Sequence, residues 1–567
     1  MNIAPSKSSA DPVIEAMRFL RRPFASIALF SSVVNLLVLT SPLFMLQVYD
    51  RVVPSRSVPT LVALVILMIA LFAFMGALDS IRSRVLMRLG QRLDETLSTA
   101  ALGAVLLQPL RSGNTGAGAQ PLRDLEQVRR FVCGPGAIVV FDLPWAPLYL
   151  LLVFLLHPLL GLVAACGAAV LVALAALNER GVRKPTLAAS QLATARVAAV
   201  EAGRRNAEIL AALGMRNTFM QRYANLNERF LTAQRTASDV GNTYTTMTKT
   251  FRFILQSLVL GIGAGLAIEQ KVTPGIMIAA SIISSRALAP IEQAVAQWRD
   301  FVATRQSFAR LRQILLSMPK DAERTALPAP SCSLSVRELA VMPPGATKPV
   351  LAGISFDLKA GDGLGIIGPS ASGKSTLARA LVGVWPAARG SIRIDGADLD
   401  QWPAGLFRDH VGYLPQDVEL FEGSIAENIS RFLPGAASEA IVAAAKQAGA
   451  HEMILAVAGG YNAQIGESGC VLSGGQRQRI GLARALYGNP FIIVLDEPNA
   501  HTDAQGDVAV QEAIRACRAR GAIVIVVAHR PSAIGAVDLV MVLDRGLARE
   551  FGPKEDILRK AVATSPV

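Results

Sequence analysis

The stretch "GLGIIGPSASGKST", Gly363–Thr376, decides the fold of the second half of this chain. A strand-like apolar run leads into a loop that fits G-x-x-x-x-G-K-[ST], and helix formers follow the loop. Glycines in such a loop let backbone N–H groups wrap a phosphate at the N-terminus of the next helix. The pattern therefore predicts a phosphate-binding loop between a strand and a helix, within an α/β domain.

The loop itself supplies the first candidate site residues. We expect Lys374 to reach the β- and γ-phosphates of ATP and Ser375 to bind Mg²⁺. The predicted ATP-binding residues are Gly368, Pro369, Ser370, Ala371, Ser372, Gly373, Lys374, Ser375 and Thr376.

A second run, "FIIVLDEP", Phe491–Pro498, predicts a buried strand that ends in two carboxylates. Asp496 at the strand end suits Mg²⁺ coordination. Glu497 is placed to act as the general base that polarises the attacking water. The alternative is that Glu497 only caps the following turn.

Between these motifs lies "LSGGQRQRIGLARAL", Leu472–Leu486, which resembles the signature of ATP-binding-cassette (ABC) proteins. The resemblance implies that one chain's signature closes over the nucleotide of a second chain, so that two copies form a homodimer. It also implies catalytic roles for Glu497, His529 in "VVAHR" and Gln416 in "YLPQ", with Gln416 also contacting Mg²⁺. The remaining implied residues are Asp503 in the D-loop and the signature residues Leu472, Ser473, Gly474, Gly475 and Gln476.

Three features of the sequence depart from the family pattern. Ala371 stands where glycine is frequent, and we expect it to be tolerated at a variable position. The D-loop reads "NAHTD", so His501 and Thr502 are expected to alter cross-talk between the two sites. The segment "LAVMPPG", Leu339–Gly345, has no aromatic residue to stack on adenine, which predicts relaxed nucleotide selectivity with apolar contact from Val341 or Met342.

The first half of the chain is strongly apolar. Hydrophobic residues make up 52% of the 567 residues and charged residues only 17%. A spanning helix needs about 20 mostly apolar residues. Six runs meet or approach that length, with His157-Pro158 as the break between the third and fourth: Phe24–Val48, Pro59–Leu78, two within Ala137–Leu177, Phe253–Ile268 and Pro274–Ala289.

The predicted fold is thus a six-span helical membrane domain followed by an α/β ATP-binding-cassette domain. We expect a cytoplasmic N-terminal segment over 1–22 and the membrane domain with long cytoplasmic helical extensions over 23–310. A Pro-rich linker follows over 311–332, and the cassette occupies 333–567.

The net charge of +13 admits nucleic acid or anionic lipid as a partner. Many arginines stand beside the apolar runs, which the positive-inside rule explains, so we expect membrane lipid and no nucleic acid. The five scattered cysteines form no C-x-x-C and indicate neither a disulfide framework nor a metal site.

The segments "PLFMLQVYDRVVPSRSVPTL", "FDLPWAPLYL" and "VGYLPQDVELFEGSIAENI" are similar to type I secretion ATPases, in the branch that exports proteases and RTX-type proteins. That resemblance implies polypeptide export across the bacterial inner membrane with a periplasmic adaptor and an outer-membrane channel. A lipid or multidrug exporter is the alternative.

Two charged features of the membrane half carry their own hypotheses. Asp142 either marks function inside a span, or lies near the cytoplasmic end of the third span, where it is solvated or caps the turn before Pro144. Asp50, Arg51 and Arg56 follow the first span, and we expect this group to meet a partner or the exit of the path.

Overall fold

The computed structural model describes residues 12–113, 118–318, 327–402, 407, 409–466, 472–500, 504–529 and 534–563. The chain forms two compact units: Met1–Gln108 with Thr115–Pro319, and Pro109–Asn114 with Lys320–Val567.

Long helices build the first unit. They are α1 Pro12–Val38, α2 Thr40–Gln47, α3 Val53–Ser55, α4 Val58–Ser112, α5 Gln120–Cys133, α6 Pro135–Asp142, α7 Ala146–Leu156, α8 Pro158–Arg205, α9 Ala207–Ala212, α10 Arg216–Ile268, α11 Pro274–Ala296 and α12 Trp298–Ser317.

Six helical segments in the described part of the chain are long and apolar enough to cross a membrane, as predicted. They are Phe24–Ser55, Val58–Arg111, Pro135–Leu156, Pro158–Arg205, Arg216–Ile268 and Pro274–Ala296. At 1.5 Å per residue the 55 residues of α4 extend about 80 Å, well beyond a hydrocarbon core of about 30 Å. The second, fourth and fifth spans therefore continue far into the aqueous phase.

The predicted break at His157 is confirmed. Its backbone is extended, with φ of −162°, because the following proline disfavours helix at this position. The His157 Nδ1 accepts a hydrogen bond of 3.2 Å from the Leu159 N–H and so caps α8. Close to this turn, Tyr149, Val153 and Leu160 lie in a fully buried apolar cluster shared by the third to sixth spans.

The second unit is an α/β domain. Its strands are β1 Ser333–Val341, β2 Leu351–Lys359, β3 Gly363–Ile367, β4 Ala387–Ile394, β5 Ala397–Asp398, β6 Val411–Leu414, β7 Gly423–Ser424, β8 Gln464–Ile465, β9 Ile492–Asp496, β10 Ile523–Val527, β11 Leu539–Asp544 and β12 Leu547–Pro553. Its helices are α13 Lys374–Leu381, α14 Ile425–Ile429, α15 Ser438–Gln447, α16 His451–Ala456, α17 Gly474–Leu486, α18 Ala504–Ala519 and α19 Lys554–Ala563.

Two main sheets organise this unit. The larger has the order β12-β11-β3-β10-β9-β6, and all its neighbours are parallel except β11 and β12. The smaller is antiparallel with the order β2-β1-β4-β5. Strands β9 and β10 are buried along their whole length, as expected for a parallel sheet covered on both faces.

Candidate nucleotide site

The candidate site lies at one edge of the larger sheet. In the parallel register Val527 pairs with both Asp496 and Ile366, and Leu414 pairs with Leu495. The segments that follow β3, β6, β9 and β10 therefore leave the sheet side by side. Ligands of open α/β sheets bind at this carboxyl edge of the strands.

The phosphate loop follows β3 and leads into α13. Gly368 has φ of 154°, and a side chain there would collide with the Leu543 carbonyl oxygen. Gly373 has φ of 102°, and a Cβ would lie 2.6 Å from Leu351 Cδ2. Only glycine meets both the backbone angle and the space at these two positions.

Lys374 begins α13 and turns back over the loop. Its Nζ donates hydrogen bonds of 2.8 Å to the carbonyl oxygens of Gly368 and Pro369. Burial lowers the pKa of the Lys374 ammonium, while the carboxylates of Glu497 and Asp496 oppose that shift. The ammonium therefore lies between the loop and two carboxylates, where a polyphosphate would find a positive charge.

Ala371 lies in the loop with φ of 63°, in the left-handed region. L-residues with a Cβ are strained there, whereas glycine is not. The side chain is exposed. The expectation that alanine is tolerated stays a prediction, and the positive φ adds that its backbone is strained.

Asp496 ends β9 and is fully buried. Neither of its carboxylate oxygens has a hydrogen-bond partner among the described residues. Burial raises the pKa of Asp496, and the nearby Ser375 hydroxyl opposes the shift. A buried carboxylate with free oxygens beside a phosphate loop fits a hard divalent cation such as Mg²⁺.

Glu497 follows with φ of 52°, a strained conformation for a non-glycine residue. Its N–H donates to the Val527 carbonyl at 3.0 Å, which ties the strained turn to β10. Its Oε1 lies 3.0 Å from His529 Nε2, just beyond the end of the same strand. The predicted base and the predicted switch histidine are therefore in hydrogen-bond contact.

The signature residues occupy the N-terminus of α17. Ser473 and Gln476 form a capping box: the Ser473 N–H donates to Gln476 Oε1 at 2.8 Å, and the Gln476 N–H donates to Ser473 Oγ at 3.3 Å. Leu472 is buried, and Gly474 and Gly475 form the first turn of the helix. The helix thus presents a fixed N-terminus to any anion that approaches it.

Gln478 makes a contact that the sequence did not predict. This residue of α17 is almost fully buried. Its Nε2 donates to the carbonyl oxygens of Glu497 at 3.4 Å and Pro498 at 3.2 Å. An amide donor buried in the helix thus ties the signature to the turn that carries the predicted base. Its polar character inside "SGGQRQRI" was the only sequence signal.

Two further predicted residues remain. Gln416 stands two residues after β6 with an exposed side chain. Asp503, together with His501 and Thr502, lies outside the described residues.

The predicted apolar contact between adenine and Val341 or Met342 is corrected in part. Val341 is fully buried in the core between the two sheets, so it cannot contact a base. A register shift between Val336 and Leu339 reverses the alternation of β1 and turns Val341 inward. Met342, the next residue, is 44% exposed and remains available.

Asp142 belongs to a polar cluster in the membrane unit, and neither reading of the sequence anticipated this. Its Oδ1 accepts hydrogen bonds from Asn35 Nδ2 at 2.8 Å and Arg82 Nη1 at 3.2 Å. Arg82 is buried and also donates to Asp79 Oδ1 at 2.6 Å. Tyr149 donates to the Asn35 carbonyl at 2.7 Å. The cluster joins the first three spans.

Asp50 lies in a π-helical turn, Val48–Val52, at the end of the first span. Its carboxylate accepts hydrogen bonds from Thr273 Oγ1 at 2.6 Å and from the Gly275 N–H at 2.8 Å. Asp50 therefore caps the N-terminus of α11. Arg51 and Arg56 are exposed, so their predicted contact with a partner stays a prediction.

The fold and this site define an ABC transporter. The family model for the ABC transporter transmembrane region matches residues 24–289, and the model for the ABC transporter matches residues 351–500. A bacterial Atm1-family ABC exporter with ATP bound shares the fold: its TM-score is 0.82 at 22% identity, over 96% of this chain and 99% of that chain.

The relatives narrow the class further. The type I secretion system ATP-binding protein PrsD of Rhizobium meliloti (strain 1021) is 48% identical over 100% of this chain and 97% of its own length. The alpha-hemolysin translocation ATP-binding protein HlyB of Escherichia coli is 28% identical over 96% of this chain and 78% of its own. This chain belongs to the type I secretion family of ABC transporters and is an ATP-hydrolysing, multi-pass membrane protein.

Proposed function

We propose that this chain uses ATP to export a polypeptide across the bacterial inner membrane, as the permease and ATPase of a type I secretion system. The observation that carries the proposal is the 48% identity to PrsD over the whole chain, membrane unit included. The cassette alone could not carry it, because lipid and multidrug exporters share that domain.

In the proposed mechanism ATP phosphates lie on the loop from Gly368 to Thr376, with Lys374 supplying positive charge. Glu497 takes a proton from the attacking water, and His529 orients Glu497 and contacts the γ-phosphate. Ser375, Gln416 and Asp496 would hold Mg²⁺, which when bound neutralises the developing phosphate charge.

We propose a homodimer as the working unit. The signature residues Leu472–Gln476 would then close over the partner's nucleotide, and Asp503 would contribute from the D-loop. ATP must favour the closed dimer strongly, because reversing a 1:99 population takes about 5.5 kcal/mol. The periplasmic adaptor and the outer-membrane channel belong to the same proposal.

The test compares secreted proteins from cells that carry the wild-type chain, Glu497→Gln or Glu512→Gln. Glu512 is an exposed glutamate of α18 and serves as the matched control. We expect Glu497→Gln to retain ATP binding and to lose one secreted polypeptide, while Glu512→Gln secretes it normally. An unchanged set of secreted proteins with altered lipid distribution would contradict polypeptide export and favour a lipid exporter.

A further inference from the structure

A polar recess of about 370 Å³ opens between α10 and α11 in the membrane unit. Six polar residues line it: Arg252, Gln256, Ser285, Arg286, Glu292 and Gln293. Its volume is at the lower end of the range for ligand sites. A short extended segment fits such a volume, whereas a folded domain does not.

The charges of the recess do not cancel. Arg252 donates to the Glu292 carboxylate, and its Nη1 donates to Ser285 Oγ at 2.9 Å. Both members of this ion pair are largely buried. Arg286 is exposed and makes neither a hydrogen bond nor an ion pair with any residue that the structure describes. One positive charge is therefore left over.

The charges of the recess make contact with lipid costly. A charge inside a span costs about 2.5–3.5 kcal/mol on insertion scales, so such residues face a water-filled path or a protein interior. On α10 the exposed apolar residues Ile254 and Leu258 lie about 200–240° around the helix from Arg252. Phe253 and Leu260 are also exposed and lie about 80–100° from Arg252, so the polar side of α10 borders apolar residues on one flank and lies opposite Ile254 and Leu258.

On α11 the polar residues form one stripe at helical spacing, because Ser285, Glu292 and Gln293 are seven and eight positions apart. The remaining sides of α11 are packed, with Ala287 and Leu288 fully buried. The stripe and the exposed Arg286 beside it are therefore the side of this helix segment that is open to a ligand.

We propose that this recess is an anion subsite of the export path, which binds a carboxylate of the passing polypeptide through Arg286. Gln256 and Gln293 carry both donors and acceptors, so they can pair with the peptide groups on either side of that carboxylate. This assignment rests on the proposed polypeptide export.

The experiment uses the full-length protein in phosphatidylcholine nanodiscs and two fluorescent 20-residue peptides, one alternating Glu and Gly and the other Gln and Gly. Binding is measured by fluorescence anisotropy. We expect the Glu peptide to bind more tightly than the Gln peptide. Arg286→Gln should weaken binding of the Glu peptide about tenfold, the loss of one hydrogen bond between charged groups, and Arg286→Lys should retain most of it.

Arg180→Gln is the matched control, because it removes an exposed helical arginine that does not line the recess. It should leave the Kd for the Glu peptide within about twofold of the wild-type value, and the rate of ATP hydrolysis without peptide should be the same in all variants. Equal Kd values for wild type and Arg286→Gln, or for the two peptides, would overturn the subsite.

A separate arm adds phosphatidylglycerol to the nanodiscs. Displacement of the Glu peptide by this lipid would assign the recess to a lipid headgroup and overturn the polypeptide assignment. The secretion test with Glu497→Gln reports on polypeptide export independently. Loss of a secreted polypeptide there, with no binding of the Glu peptide here, would reject the subsite alone.

Discussion

Replacing Ala371 with glycine should stabilise the cassette, although it removes a methyl group. The alanine has φ of 63°, and a left-handed L-residue costs about 1–2 kcal/mol. Glycine offsets about 0.5–1 kcal/mol of this gain, because its unfolded chain has more conformational freedom to lose on folding. The side chain is exposed, so no packing is lost. We expect a net gain of about 0.5–1 kcal/mol in the free energy of unfolding.

The measurement is the thermal unfolding of the full-length protein in detergent without nucleotide, at one scan rate. For a domain of this size 1 kcal/mol shifts Tm by about 2–4 °C, so the cassette transition of Ala371→Gly should rise by about 1–4 °C. The control is Ala443→Gly in α15, an exposed alanine in ordinary helical conformation. That change should lower Tm by about 2–4 °C, because glycine costs about 1 kcal/mol in a helix interior.

The decisive result is that the two substitutions shift Tm in opposite directions. If both variants lose stability by the same amount, the positive φ of Ala371 contributes no strain, and the reasoning from backbone geometry is wrong.

Three further outcomes follow from contacts described above. Gln478→Ala should lower kcat for ATP hydrolysis about tenfold with KM within about twofold, because it frees the turn of the predicted base; an unchanged kcat in a phosphate-release assay would contradict this. Asp142→Asn should destabilise the membrane unit by about 1–2 kcal/mol in thermal unfolding. A double variant that also removes the Arg82 side chain should lose less stability than the sum of the two single variants. Gly275→Ala would place a Cβ 2.5 Å from Asp50 Oδ1, so it should cost about 1–2 kcal/mol, and normal stability would refute the capping role.

The nucleotide site could be predicted from sequence because its residues follow strands directly. Short motifs such as "GPSASGKST" and "VLDEP" couple one backbone path to one chemistry, and parallel strands bring their ends together. The six spans were predictable for a similar reason, since length and hydrophobicity alone determine which helices can cross a bilayer.

The remaining contacts needed the structure. The ion pair of Arg82 with Asp142 joins residues 60 positions apart, and nothing local in either segment indicates the partner. The register shift in β1 turns Val341 inward, and nothing in "LAVMPPG" indicates this irregularity.

The cap that Asp50 places on α11 also sets an order for biosynthesis. Its partner Gly275 lies 225 residues further along the chain. At about 5–20 residues per second, ribosomes need about 11–45 s to make that length. During this interval the Asp50 carboxylate has neither of its two hydrogen-bond donors. The end of the first span is thus joined to the sixth only once the sixth has been made, so a chain that stops before that point leaves the Asp50 carboxylate without either donor.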